Sequence, residues 1–120
     1  MLIAVCCPDA AERSRISASI GVCAAEAHRH AEIAEYASDD ALWRDFVPGR
    51  FRGAVVGCGD VKGFLCARRL RESDSACRVI LLDDTERYAI RGLRIHLSDF
   101  LLRPLEEARL NAAIMRLLTE

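Results

Sequence analysis

Two short stretches without a polar side chain, Leu2-Ile3-Ala4-Val5-Cys6 and Val79-Ile80-Leu81-Leu82, constrain the fold of this chain more than any other feature. A strand with one wet face alternates apolar and polar residues, whereas a strand covered on both faces reads as an unbroken apolar run. Both runs are therefore expected to be central strands of a parallel sheet, and the rest of the sequence supplies the covering helices. Asp9, with Glu12 three residues on, has the capping-box pattern, and Ile16, Ile20 and Cys23 recur at helical spacing, predicting a helix over 9–27. The alternation in Ala31 to Tyr36 predicts a half-buried strand near a sheet edge. Ser38 can cap a helix over 39–46 that stops at Pro48-Gly49, and Gly53 to Gly57 forms a third apolar strand.

Beyond the loop Cys58-Gly59-Asp60, the residues Phe64, Leu65, Ala67, Arg68 and Leu70 read as an amphipathic helix leading into the strand at 78–82. A short helix is expected from Thr85 to Arg91 and a last strand over 99–102. Pro104 is then expected to open a helix with Leu110, Ile114 and Leu118 on one face. Five strands alternating with five helices predict an α/β fold, a five-stranded parallel sheet of order 2-1-3-4-5 with helices on both faces. A length of 120 residues suits one such domain over 1–120. In this architecture functional groups collect at the carboxyl ends of the strands.

The formal net charge of −1 offers no long-range attraction for DNA or an anionic membrane, so contact with nucleic acid is expected only through another domain. The apolar runs fall far short of the ~20 residues that span a bilayer, and no export signal precedes them, so the cytoplasm is the expected location. The six cysteines then read as reduced thiols, with no CxxC or Cys/His cluster at zinc spacing. Cys6 and Cys7 are adjacent and point to opposite faces of a strand. Cys7 and Cys58 fall at the ends of neighbouring strands and form a candidate redox pair, while Cys6, Cys23, Cys66 and Cys77 are expected to serve packing. His28, His30 and His96 are scattered, and no nucleophilic catalytic arrangement or enzyme activity is expected.

Several segments together resemble a known family. Glu86-Arg87-Tyr88-Ala89-Ile90, Ser98-Asp99-Phe100-Leu101-Leu102-Arg103-Pro104, Glu32 to Ser38 and Ala67 to Arg71 are similar to the receiver domains of LytTR-type response regulators, within the CheY-like superfamily. The resemblance covers nearly the whole chain and implies the same flavodoxin-like fold. Receivers of this family take a phosphoryl group from a histidine kinase onto an aspartate. Acidic residues hold Mg²⁺ there, and a Thr or Ser and a Lys contact the phosphate. Hard oxygen ligands are needed for the metal, and metal and lysine together neutralise the transferred group.

Set against that pattern, the chemistry-bearing positions are changed. The acid pair closing the first strand is replaced by Cys7 and Pro8, the acceptor aspartate by Gly57, and the Thr or Ser of the fourth strand by Asp83. Arg103 stands at the lysine position and Phe100 at the switch aromatic. The resemblance thus implies a receiver that has lost Mg²⁺ and phosphoryl transfer. Asp60, and beyond it Asp9, remain as displaced acceptor candidates, and an ion pair between Arg103 and Asp83 is expected to replace the phosphate contact. The family also implies a homodimer through the fourth helix, fifth strand and fifth helix, roughly Thr85 to Leu118, and a LytTR DNA-binding output domain beyond residue 120. The rival reading is a flavodoxin-like module that binds a nucleotide or small ligand in the carboxyl-end crevice. The turns after the first and third strands lack a phosphate-cradling glycine pattern, and Gly57-Cys58-Gly59 alone is a weak one.

Overall fold

A computed structural model describes residues 1–120. The expected alternation is present: β1 (Leu2–Cys6), α1 (Ala10–Glu26), β2 (Glu32–Tyr36), α2 (Asp39–Asp45) and β3 (Gly53–Val56) form the first half. The second comprises α3 (Asp60–Ser73), β4 (Arg78–Asp83), α4 (Ala89–Arg94), β5 (Asp99–Leu102) and α5 (Glu107–Thr119). All strands are parallel, in the order β2-β1-β3-β4-β5. No helix is long and apolar enough to cross a membrane.

Strand alternation sorts the buried residues into two layers. Ile3, Val5, Val55, Ile80, Leu82 and Leu101 face α1 and α5, meeting Ile16, Ile20, Leu110 and Ile114. Ala4, Cys6, Ala54, Val56, Val79 and Leu81 point the other way, onto Leu42 of α2, the Phe64 side of α3, and Tyr88. The apolar runs of β1 and β4 are thus explained by two covered faces. β2, at the edge, keeps its polar alternation with Glu32 and Glu35 exposed.

Element ends depart from expectation in three places. α3 begins at Asp60, four residues before the apolar spacing becomes visible, because its first turn has few core contacts. The fourth helix starts at Ala89 rather than Thr85 and runs on to Arg94. Its upstream segment is spent on turns: Thr85 Oγ1 accepts from the Arg87 N–H, and Tyr88 is drawn into the core to stack on Phe64 at 5.0 Å. Pro104 lies in the turn after β5, and α5 begins at Glu107.

The two-layer core makes a mutational contrast. Ile114→Ala, at a fully buried site of α5, is expected to lower unfolding free energy in urea by about 2–5 kcal/mol. Leu93→Ala, on exposed α4 surface, should stay within about 0.5 kcal/mol of the parent.

Candidate functional site

At the carboxyl edge of the sheet the strand ends deliver Cys7 and Pro8 after β1, Gly57 and Cys58 after β3, Asp83 and Asp84 at β4, and Arg103 after β5. They do not all converge. Side chains keep alternating between faces for a residue or two past a strand. Cys7, Gly57, Asp84 and Arg103 have the parity of Val5, Val55, Leu82 and Leu101 and lie on the α1 side. Cys58 and Asp83 share the parity of Val56 and Leu81 and turn toward α3.

On the α1 side an ion pair dominates. Arg103 crosses over β3 to reach Glu12 in the first turn of α1. Nε donates to Oε2 at 2.9 Å and Nη2 to Oε1 at 2.7 Å, a bidentate contact that is among the strongest geometries open to these groups. Nη2 also donates to the Gly57 carbonyl at 2.8 Å, and Nη1 stands 3.6 Å from Asp84 Oδ1. Both partners are largely buried, with side chains 20% and 16% exposed. The guanidinium holds the Glu12 carboxyl below the usual carboxylate range, against the opposing effect of burial. The Cys7 thiol donates to Glu12 Oε1 at 2.8 Å, and burial together with that bond pushes its pKa up to about 11.

Gly57 is part of this arrangement. A Cβ there would stand 2.7 Å from Arg103 Nη2 and 3.2 Å from Glu12 Oε1, so the pair occupies the room that any side chain at this position would need. The surrounding cleft, about 340 Å³, is shallow and open and is lined by Cys7, Pro8, Asp9, Gly57, Cys58 and Arg103, among others.

The expected Arg103–Asp83 pair does not form, because the two side chains leave opposite faces of the sheet. They share only a backbone bond, Arg103 N–H to Asp83 carbonyl, 2.8 Å. Asp83 is 3% exposed. Its Oδ1 accepts from the Asp84 N–H at 2.7 Å and the Asp60 N–H at 3.3 Å, tying β4 to the start of α3, while Oδ2 has no partner. The candidate redox pair also changes membership: Cys7 turns to Glu12, and the thiol beside Cys58 is that of Cys6, at 3.4 Å.

Of the displaced acceptor candidates, Asp9 caps α1, accepting from the Ala11 N–H at 2.9 Å and the Glu12 N–H at 3.4 Å. Asp60 is exposed and lies 3.7 Å from Arg87, at a positive φ of 47°. Phe100 is partly buried on the α3 side of β5. No three His, Cys, Asp or Glu side chains are grouped so as to hold a metal ion.

The fold has close counterparts among solved structures. The non-phosphorylated HemR receiver domain from Leptospira biflexa superposes with a TM-score of 0.83 at 12% identity, over 99% of this chain and 94% of that one. TrrA from Thermotoga maritima, a response regulator in complex with Mg²⁺ and BeF, gives 0.76 at 14% identity over 98% of each chain. DrrB from Thermotoga maritima, an OmpR/PhoB homologue, gives 0.71 at 20% identity, over 98% of this chain but 52% of that longer one. The chain has the fold of a response-regulator receiver domain. No protein-family model and no curated protein sequence matches it.

Within the receiver fold, Glu12 is the site residue that the sequence reading missed. Its spacing from Asp9 fits a capping box, but only Asp9 plays that part; the Glu12 side chain turns away to Arg103.

The pair has a pH signature. Because the Glu12 carboxyl is depressed in the folded state, its contribution to stability is complete above the unfolded value of about 4.3 and is lost as pH falls through the lower folded value. Gly57→Ala pushes the guanidinium off its partners. It is expected to cost about 1–3 kcal/mol at neutral pH and to flatten this acid-dependent component, read by urea unfolding between neutral pH and pH 3.

Proposed function

We propose that this chain is a receiver-type signalling module that works without phosphorylation, acting by protein contact. The observation that carries the reading is the Arg103–Glu12 ion pair lying over Gly57. In the family that the sequence resembles, the acceptor aspartate stands at the Gly57 position. An aspartate there would need the volume that the guanidinium fills, and the Arg itself is engaged rather than free to meet a phosphate.

The donor set does not suit Mg²⁺, which takes oxygen ligands and favours carboxylates and water. The Glu12 carboxylate is bound by Arg103, the Asp9 carboxylate by the amides of α1, and a guanidinium nitrogen stands at the Gly57 carbonyl. Asp83 stands where the family has a hydroxyl, but its side chain is buried on the α3 side and bonded to the Asp84 and Asp60 amides rather than offered to a phosphate. The rival small-ligand reading draws little support from the cleft, which is open and whose charged wall groups, Glu12 and Arg103, are already paired with each other.

For output, the reading invokes a second copy of the chain docking on the face of α4, β5 and α5, where the apolar side chains of Ile90, Leu93 and Leu102 are exposed. A histidine kinase or other signalling protein is the partner class that the receiver fold suggests. A LytTR DNA-binding domain elsewhere in the same polypeptide would make the module a transcription regulator in the cytoplasm.

Incubating the protein with acetyl phosphate and Mg²⁺ and measuring its intact mass tests the reading. The mass is expected to stay unchanged. A stable phosphoryl adduct mapped to Asp60 or Asp9 would overturn the proposal.

A further inference from the structure

The α3 side of the carboxyl edge holds a group of thiols that the ion-pair site does not use. Cys6, the last residue of β1, is fully buried, and its Sγ lies 3.4 Å from Sγ of Cys58, two residues beyond β3. Cys58 is partly exposed and lines the open cleft. We propose that Cys58 is an oxidation site and Cys6 its resolving thiol, so that a peroxide closes a disulfide between the ends of β1 and β3.

Three features divide the roles. Cys58 immediately precedes Gly59, the N-cap of α3, so it lies at the positive end of that helix. The contact with the Cys6 thiol lowers the Cys58 pKa, against the opposing effects of burial and Asp39, and Lys62 and Arg103 add to the lowering. Cys6 is held protonated by its bonds to Cys58 and Cys66 and by burial. The thiol of the partly exposed residue is therefore the nucleophile, and that of the fully buried Cys6 resolves it.

The chemistry balances with hydrogen peroxide as oxidant. The Cys58 thiolate attacks one peroxide oxygen, the O–O bond breaks, and hydroxide leaves, giving Cys58 sulfenic acid. Cys6 sulfur then attacks Cys58 sulfur; the S–O bond breaks and the departing hydroxyl takes the Cys6 proton as water. With the proton first released by Cys58, two thiols give up two electrons and two protons, and the peroxide becomes two waters.

The step needs little motion. The sulfurs must close from 3.4 Å to about 2.05 Å, roughly 1.4 Å of approach. Cys58 stands between Gly57, which is packed against Arg103, and Gly59, where a Cβ would meet nothing within 4 Å, so the chain has room to shift on the Gly59 side. Movement of Cys58 drags the adjacent Gly57 carbonyl, which accepts from Arg103 at 2.8 Å. Disulfide closure would thus disturb the ion pair on the other face. The inference goes beyond the phosphorylation-independent reading and does not require it.

Treating the full chain with hydrogen peroxide, alkylating the remaining thiols and mapping tryptic peptides by mass spectrometry tests the proposal. Two of the six thiols should become unavailable and return on reduction. Peptides 1–13 and 53–62 should be joined within one chain, with fragmentation placing the bridge at Cys6. Cys7→Ala should retain the bridge, and Cys6→Ala should leave Cys58 as a sulfenic acid that dimedone traps. If Cys6→Ala does not fold, the fragment map of the unaltered protein decides alone. A bridge at Cys7 or Cys66, a bridge between chains, or no loss of thiols would overturn the assignment.

Discussion

The carboxyl edge of this receiver fold is organised around one contact, the bidentate ion pair of Arg103 with Glu12. It joins the end of β5 to the first turn of α1 across the intervening strand ends, and each neighbour is shaped to it. Gly57 has no side chain because the guanidinium takes that space, the Cys7 thiol donates to the same carboxylate, and the Gly57 carbonyl accepts a further hydrogen bond from Nη2. A charge pair removed this far from water stabilises only when its hydrogen-bonding groups find partners; here Nε and Nη2 are bonded within the site, and Nη1 faces the Asp84 carboxylate at 3.6 Å. In the reading proposed above, a permanent internal pair stands where other receivers place a transient metal and phosphoryl group.

The sheet separates two chemistries. Because alternate residues face opposite layers, the α1 side receives Cys7, Gly57, Asp84 and Arg103, and the α3 side receives Cys6, Cys58 and Asp83. The first set forms the ion-pair cluster and the second a buried carboxylate beside a group of thiols. Three pairs of consecutive residues connect them, Cys6-Cys7, Gly57-Cys58 and Asp83-Asp84. A perturbation of one face has a short covalent path to the other through these strand-end dipeptides.

Much of the fold was legible in the sequence because burial on both faces leaves an unmistakable mark: the apolar runs of β1 and β4 and the i, i+4 spacing of Leu110, Ile114 and Leu118 need no tertiary knowledge. The start of α4 was not legible, since Tyr88 belongs to the core as a turn residue and looks helical only by composition. At the site, the location of Cys7, Gly57, Asp83 and Arg103 at strand ends was legible, but their side-chain pairings were not. The signal was present: two-residue parity puts Arg103 with Gly57 and opposite Asp83, and puts Cys58 with Cys6 rather than Cys7. Glu12 was harder to find, because a glutamate at the third position of a capped helix has a sufficient local explanation, and its partner lies 91 residues away.

The most direct test of this account is a double-mutant cycle on the pair, with Glu12→Gln, Arg103→Met and the double variant unfolded in urea at neutral pH. The account predicts a coupling of about 1–3 kcal/mol, each single change being costly and the second adding little to the first. Effects that simply add, within about 0.3–0.5 kcal/mol, would contradict it.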